Sequence, residues 1–308
     1  MAVIDHRFPN LDPERAVLAS VAAEVDDLRG LTDEEVLERA TEADGILLGA
    51  RFQLTRDRIR RLRRCRVVVR YGVGVDNVDL DAAAERGIQV SWVPDYCVEE
   101  VSNHALAMLL AVHRQLPAYE ARMRSGQAGI DAGRPIQRLS QAALGVVGFG
   151  RIGREVARKA RAFGLRIAAF DPNLTQEQMG PEVTKTGDLD QLLAVVDAVS
   201  LHLPLSNQTR GIMNSRRLSL LKPGSMVINV GRGGLIDEEA LADHLESGHL
   251  IGAGLDVTAL EPLPPGHRLF KAPNLILTPH VAWYSVGAQR ELQTKAAEGV
   301  ARVLGEAA

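Results

Sequence analysis

The feature that most constrains this chain is an alternation, run twice, of short apolar strand-like segments with helical ones. The first series has strand-like runs at Ala2–Ile4, Gly45–Gly49, Arg66–Arg70 and Ile88–Trp92. Helical patterns at Glu14–Ala22, Thr32–Ala43, Thr55–Leu62 and Leu80–Arg86 lie between them. The second series, after residue 140, has runs at Ala143–Phe149, Arg166–Phe170, Ala198–Leu203, Ser225–Val230, Gly252–Val257 and Leu275–Thr278, again separated by helical stretches. Strands that alternate with helices predict βαβ units and a parallel sheet. At 308 residues the chain also exceeds the size at which a single core keeps growing, so two doubly wound domains are expected.

Between the series, Val101, Ala105, Met108, Leu109, Val112 and Leu116 recur at helical spacing, which predicts one long connecting helix over Val98–Arg124. Ser125–Ser140, rich in Gly, Arg and polar residues, reads as a loop, and Ser285–Leu304 as a last helix that returns to the first domain. The expected division is residues 1–97 with 281–308 against residues 98–280. Hydrophobic content of 46%, 24% charged residues and a net charge of −3 give no electrostatic reason for nucleic acid or an anionic membrane as partner. Asp5 and Arg7 interrupt what would be the core of a signal peptide, and no 18-residue apolar run exists, so a cytoplasmic location is expected. Cys65 and Cys97 have no metal-ligand spacing, so neither a metal site nor a disulfide framework is expected.

The run from Leu144 to Gly153 places Gly148, Gly150 and Gly153 in a GxGxxG pattern, directly after an apolar strand and before the helical run Arg154–Phe163. The first glycine permits a tight turn, the second lets backbone approach a pyrophosphate, and the third allows close helix-to-strand packing; Arg151 and Ile152 complete the phosphate-facing turn. Asp171 ends the next strand, 23 residues after Gly148, where a ribose-binding carboxylate belongs. It would repel a 2′-phosphate, and no Arg or Lys follows in Pro172–Met179, so NAD is favoured over NADP. Flavin and S-adenosylmethionine binders also use such turns, so the motif names a nucleotide more firmly than a reaction.

Three later segments, Asn229–Leu241, Gly254–Leu263 and Leu277–Ser285, each place a chargeable residue at or just past the carboxyl end of a predicted strand, where open α/β sheets bind ligands. Together with Arg70–Asp79 and the glycine turn they make the chain resemble the D-isomer-specific 2-hydroxyacid dehydrogenases over nearly its whole length. Within that family Val93–Glu100 and Pro279–Ser285 look most similar to the C-terminal-binding protein corepressors.

The resemblance implies two Rossmann-like domains with the active site in the cleft between them, and a catalytic trio of Arg232, Glu261 and His280. Reduction of a ketone by hydride needs a proton for the developing alkoxide, which an imidazolium at His280 supplies near neutral pH. Glu261 would orient that ring, and Arg232 would hold the substrate carboxylate with a planar, permanently charged guanidinium. The implied cofactor contacts extend to Leu203, Val230 and Gly231, and to Asp256 for the nicotinamide carboxamide. Substrate contacts would come from the backbone at Val73 and Gly74, with Arg51, Arg70 and Trp283 setting specificity.

Taken singly, Arg232 reads as a surface cation, Glu261 as a loop acid before Pro262 and His280 as a turn residue; jointly, in this order and spacing, they read as functional. His6, His104, His113, His244, His249 and His267 have no partner motif and read as ordinary. The resemblance places His202, at a strand end, on the adenine side. The expected activity is an NAD-dependent oxidoreductase acting on a small 2-hydroxy or 2-keto acid, as a homodimer. The alternatives are an NADH-sensing, corepressor-like binding protein and a phosphite-type dehydrogenase using the same trio. No regulatory domain is seen beyond the catalytic pair, which argues against an allosterically controlled phosphoglycerate dehydrogenase.

Overall fold

The computed structural model describes residues 1–130 and 135–306. In chain order the first elements are β1 (Ala2–Ile4), α1 (Asp12–Leu18), β2 (Asp26–Asp27), α2 (Asp33–Ala40) and β3 (Gly45–Leu48). They are followed by α3 (Arg56–Arg61), β4 (Val67–Arg70), α4 (Leu80–Glu85) and β5 (Gln89–Trp92). Two helices come next, α5 (Val98–His113) and α6 (Leu116–Arg124), then β6 (Ala143–Val147), α7 (Arg151–Ala162), β7 (Arg166–Phe170), α8 (Gln176–Met179) and β8 (Thr184–Lys185). The remainder is α9 (Leu189–Val195), β9 (Ala198–Leu201), α10 (Ser215–Leu220), β10 (Ser225–Asn229), α11 (Glu238–Glu246), β11 (Leu250–Leu255), β12 (Leu275–Leu277) and α12 (Val286–Gly305). The chain divides into two compact units, Met1–Tyr96 with the segment from Tyr284 onward, and Cys97–Trp283.

In the first unit the described strands form a parallel sheet in the order β2-β1-β3-β4-β5. Ile4, Ile46, Leu48 and Val68 share a core with Val36, Leu37, Ile59, Ala82 and Ala83 from α2, α3 and α4. Side chains alternate across a strand, so Val69 points away from that core; Gly299 of α12 lies against it on the opposite face. The sheet is thus wound on both faces. The order of pairing reverses at β1 and β3, whose carboxyl ends converge where Gly49 N donates to Ile4 O at 2.8 Å.

The second unit has the described order β12-β11-β10-β9-β6-β7-β8, every pair parallel. Val147, Val199, Leu201, Val227 and Leu255 join Leu192, Leu218, Leu241 and Leu245 in one core. Pairing reverses at β6 and β9, and ligands in open α/β sheets bind at such reversals, off the carboxyl ends of the strands.

Two sequence expectations are corrected here. The single helix over Val98–Arg124 is two, because Gln115 adopts the left-handed φ of 52° and ψ of 36° and Pro117 lies in the first turn of α6. A continuous helix would drive the Pro117 ring into the carbonyl of His113 and lack one N–H donor. The edge strands β2 and β8 were not expected, since two polar residues each leave no apolar run to read. Part of the expected loop, residues 131–134, lies outside the described residues. Among the described residues no helix is long and apolar enough to cross a membrane, and no cluster of three His, Cys, Asp or Glu is placed to hold a metal.

Candidate active site

The glycine turn sits at the β6/β9 reversal. Gly148 has φ +86°, and a Cβ there would stand 2.7 Å from the His202 carbonyl oxygen, so no other residue fits the turn. A Cβ on Gly153 would stand 2.2 Å from the Gly148 carbonyl oxygen, which lets α7 begin directly on the strand end. Nothing lies within 4 Å of a Cβ at Gly150, and no side chain caps the start of α7. Asp171 stands beside the turn, accepting from Phe149 N at 2.9 Å through one oxygen and from Asn173 N at 3.0 Å through the other. Burial pushes the His202 imidazole down to about 3, so this strand end adds no positive charge. Arg151 is exposed, Ile152, Leu203 and Gly231 are half-buried, and Val230 is buried beside them. A glycine turn opening onto a helix start, with an acid at the second strand end, fits a dinucleotide whose ribose carries free hydroxyls.

The trio assembles on three strand ends of the same unit. Arg232 follows β10; its Nη1 donates to Gly231 O at 2.8 Å, while Asn229 Nδ2 donates to Arg232 O at 2.9 Å. Gly233 packs so closely on Thr258 and Ala259 that a Cβ would meet the Thr258 carbonyl carbon at 1.9 Å, which brings Arg232 beside the loop carrying Glu261. The Glu261 carboxylate accepts from His280 Nδ1 at 2.8 Å and from Thr258 N at 3.3 Å. Partial burial pushes this carboxyl up, but the hydrogen bond and charge of His280, the Thr258 N–H and the Arg232 cation outweigh it and hold the group below its usual range. An ionised carboxylate only accepts, so Nδ1 donates and Nε2 is left to exchange a proton with a substrate. His280 itself has φ 56°, the left-handed region that a side chain adopts only when its surroundings impose it.

What imposes it is the loop Thr278–Trp283. Asp256, 1% exposed, accepts His280 N on its carbonyl at 2.8 Å. Its carboxylate accepts from Thr278 Oγ1 at 2.6 Å, Val281 N at 2.9 Å and Ala282 N at 2.9 Å. Trp283 Nε1 donates to His280 O at 3.1 Å. The residue expected to hold a nicotinamide carboxamide therefore has three donors of its own chain on its carboxylate. His104 Nε2 stands 3.0 Å from Thr278 Oγ1, a contact across 174 residues that no local motif signals.

In the first unit, Arg51 is exposed with its backbone N held by Asp5 Oδ2 at 2.5 Å. Arg70 is 8% exposed and its Nη1 donates to Tyr71 O at 2.7 Å. Val73 is 38% exposed and Gly74 half-buried on the loop after β4.

Residues 106–282 match the model of the D-isomer specific 2-hydroxyacid dehydrogenase NAD-binding domain. A D-3-phosphoglycerate dehydrogenase of Methanocaldococcus jannaschii is 37% identical over 91% of this chain and 53% of its own length, so the chain spans about half of that relative. A hydroxypyruvate reductase of Thermotoga maritima is 34% identical, covering 89% of each chain. Among solved structures, a D-lactate dehydrogenase of Aquifex aeolicus complexed with NAD and lactic acid superposes with a TM-score of 0.87 at 26% identity, covering 97% of this chain and 94% of that one. These relatives are dehydrogenases and reductases, not the corepressors singled out from Pro279–Ser285. Their family is one of NAD-dependent oxidoreductases acting on 2-hydroxy acids, and residues 106–282 are its NAD-binding domain. With that domain matched over more than half of the chain and a full-length relative matched over 89% of it, the chain belongs to the D-isomer specific 2-hydroxyacid dehydrogenases.

Proposed function

We propose that the protein interconverts a small 2-keto acid and its D-2-hydroxy acid, with His280 as general acid and base. The observation that carries this reading is the 2.8 Å bond from His280 Nδ1 to Glu261 Oε2 beside Arg232, on strand ends of the unit that carries the glycine turn. NAD, when bound, supplies or accepts the hydride at C2. In keto reduction His280 Nε2 gives its proton to the C2 oxygen, and the same atom takes it back in alcohol oxidation. Glu261 keeps the ring turned and stabilises it while it is charged. Arg232 grips the substrate carboxylate and polarises the ketone, which a flat guanidinium with paired donors does better than an ammonium. Val73 and Gly74 offer backbone N–H groups for the carboxylate, with Arg51 and Arg70 as the cations proposed to favour acidic side chains. Gly148, Gly150, Arg151, Ile152, Gly153, Asp171, Leu203, Val230, Gly231 and Asp256 are the proposed NAD contacts.

The substrate class follows from chemistry common to two relatives. Phosphoglycerate dehydrogenase and hydroxypyruvate reductase are named for compounds oxygenated at C3, so a 2-keto acid of that kind is proposed here. The test is a panel of glyoxylate, hydroxypyruvate, phenylpyruvate and phosphonopyruvate with NADH and with NADPH, followed by loss of reduced-nicotinamide absorbance. Hydroxypyruvate with NADH should lead, since phosphonopyruvate carries phosphorus rather than oxygen on C3; equal use of both cofactors would remove the role given to Asp171. A second reading, an NADH-sensing binding protein, is favoured only by the Val93–Glu100 and Pro279–Ser285 runs; it expects NADH binding without turnover of any keto acid. The homodimer is proposed from the exposed Leu116 and Met123 of α6, 53% and 72% accessible, and size-exclusion chromatography with light scattering tests it.

A further inference from the structure

The residue that the sequence leaves as an ordinary helix histidine sits at the head of a hydrogen-bonded chain ending on the proposed proton donor. His104 lies within α5, a 16-residue helix, and its Nε2 reaches 3.0 Å from Thr278 Oγ1 at the end of β12. Thr278 Oγ1 in turn stands 2.6 Å from Asp256 Oδ1. A threonine hydroxyl has one proton, and two backbone N–H groups, Val281 and Ala282, already make the Asp256 carboxylate an acceptor. Thr278 therefore donates to Asp256 and must accept from His104 Nε2, which fixes the direction of every bond in the chain.

The far end of the chain is the strained residue. Asp256 holds His280 N, Val281 N and Ala282 N with its carbonyl and two carboxylate oxygens, and His280 has φ 56°. A left-handed histidine relaxes unless neighbours over-determine it, and here Asp256 supplies three of the bonds that do so. If Asp256 turned, the His280 ring would leave the Glu261 carboxylate. Thr278 stops that turn from one side, and His104 stops Thr278 from rotating its hydroxyl elsewhere.

We propose that His104 and Thr278 are positioning residues for proton transfer, acting through Asp256 to hold the Pro279–Trp283 loop and the His280 ring in place. The proposal rests on the reading of His280 as the proton donor. His104 is not placed to touch a reacting atom; its contribution is to the geometry of a group that does. Losing the outer partner of a metal-ligating side chain typically costs about 10–100-fold in affinity or activity, and a loss on that scale is expected for the outer partner of this histidine.

The experiment uses the full chain with Trp92→Phe as background. The chain has two tryptophans, so Trp283, whose indole donates to His280 O, becomes the sole emitter and reports the loop directly. His104→Phe keeps volume but removes the donor, and should lower kcat by about 10–100-fold while keto-acid KM stays within about two-fold. Its Trp283 emission should shift. His104→Gln puts an N–H near the place of Nε2 and should recover most of kcat and the parent emission. Thr278→Val should lose as much as His104→Phe, Thr278→Ser should recover, and the double variant His104→Phe/Thr278→Val should be no worse than either single, because both break one chain and His104 Nε2, 3.6 Å from Asp256 Oδ1, lies beyond direct hydrogen-bond reach of it.

Unchanged kcat in His104→Phe, a His104→Gln variant as impaired as His104→Phe, or multiplying losses in the double variant would each overturn the proposal. Should His104→Phe fail to fold, the Thr278→Val and Thr278→Ser pair carries the same test. If the parent turns over no 2-keto acid, the function proposed above falls. Trp283 emission still decides the positioning, which stands if emission shifts in His104→Phe and returns in His104→Gln, and falls otherwise.

Discussion

His280, Glu261 and Arg232 lie on three different loops, and their chemistry depends on distances of a few ångströms that no single segment controls. His280→Ala removes the proposed proton donor and leaves the glycine turn untouched. It should lower kcat by about 10²–10⁴-fold with NADH affinity, titrated by fluorescence, nearly unchanged. Full activity in that variant would overturn the mechanism. Glu261→Gln acts through pH. The Glu261 carboxyl is held below the ordinary glutamate value of 4.5, so its charge is fully present above that value and is lost only as pH falls through the lowered one. Throughout the neutral range the carboxylate therefore favours the charged ring, and without it the ring gives up its proton sooner. In the direction of keto reduction, the fall of kcat with rising pH should begin at lower pH in Glu261→Gln than in the parent. A superimposable profile would show that the carboxylate orients nothing. The residue types and their order were legible in the sequence; the φ of 56° at His280 and the three donors on Asp256 were not, because they arise from contacts between β11 and the loop after β12.

At the scale of elements, the turn between β6 and α7 separates two uses of glycine. Gly153 has no room for a Cβ, which would stand 2.2 Å from backbone, whereas Gly150 has open space around it. Gly153→Ala must push α7 away from the strand end and should cost about 1–3 kcal/mol by overpacking, together with NADH affinity. Gly150→Ala should leave thermal stability unchanged and weaken NADH alone, since its new methyl meets only the incoming phosphate. Thermal denaturation and NADH titration of the two variants give the pair of readouts; equal stability in both would contradict the packing argument. Apart from β2 and β8, which have no apolar run, the strands were read to within a residue or two because apolar runs of this kind have one plausible burial. The break between α5 and α6 escaped because apolar spacing stayed in phase across Arg114 and Gln115, while the stop is a backbone event at Gln115 and Pro117.

At the scale of the molecule, the first unit is closed by the last helix of the chain. Gln293 of α12 donates to both Glu14 oxygens, at 3.1 and 2.9 Å, and Tyr71 donates to Glu14 Oε1 at 2.7 Å. Glu14 is fully buried, and that burial raises its carboxyl above the usual range despite the hydrogen bonds from Tyr71 and Gln293. A carboxyl raised in the folded state contributes stability that is complete below the unfolded value of about 4.5 and is lost as pH rises through the raised value. Glu14→Gln keeps a polar partner for Tyr71 and Gln293 and removes that titration. Urea denaturation from pH 5 to 8 should show the variant gaining on the parent as pH rises, to about 1–3 kcal/mol, the usual scale for a poorly solvated buried group. A constant difference between them would show that Glu14 is not the group responsible.

The sequence by itself determined the two parallel-sheet units and the nucleotide turn. Each of these is a local pattern: apolar runs of strand length and glycines at fixed spacing. Only tertiary structure decided that Asp256 spends its carboxylate on the catalytic loop, that Glu14 is buried under the last helix, and that His104 reaches Thr278 across 174 residues. Hydrogen bonds between side chains far apart in sequence depend on how helices lie on a sheet, and hydropathy spacing carries which face is buried without saying which polar atom will be found there.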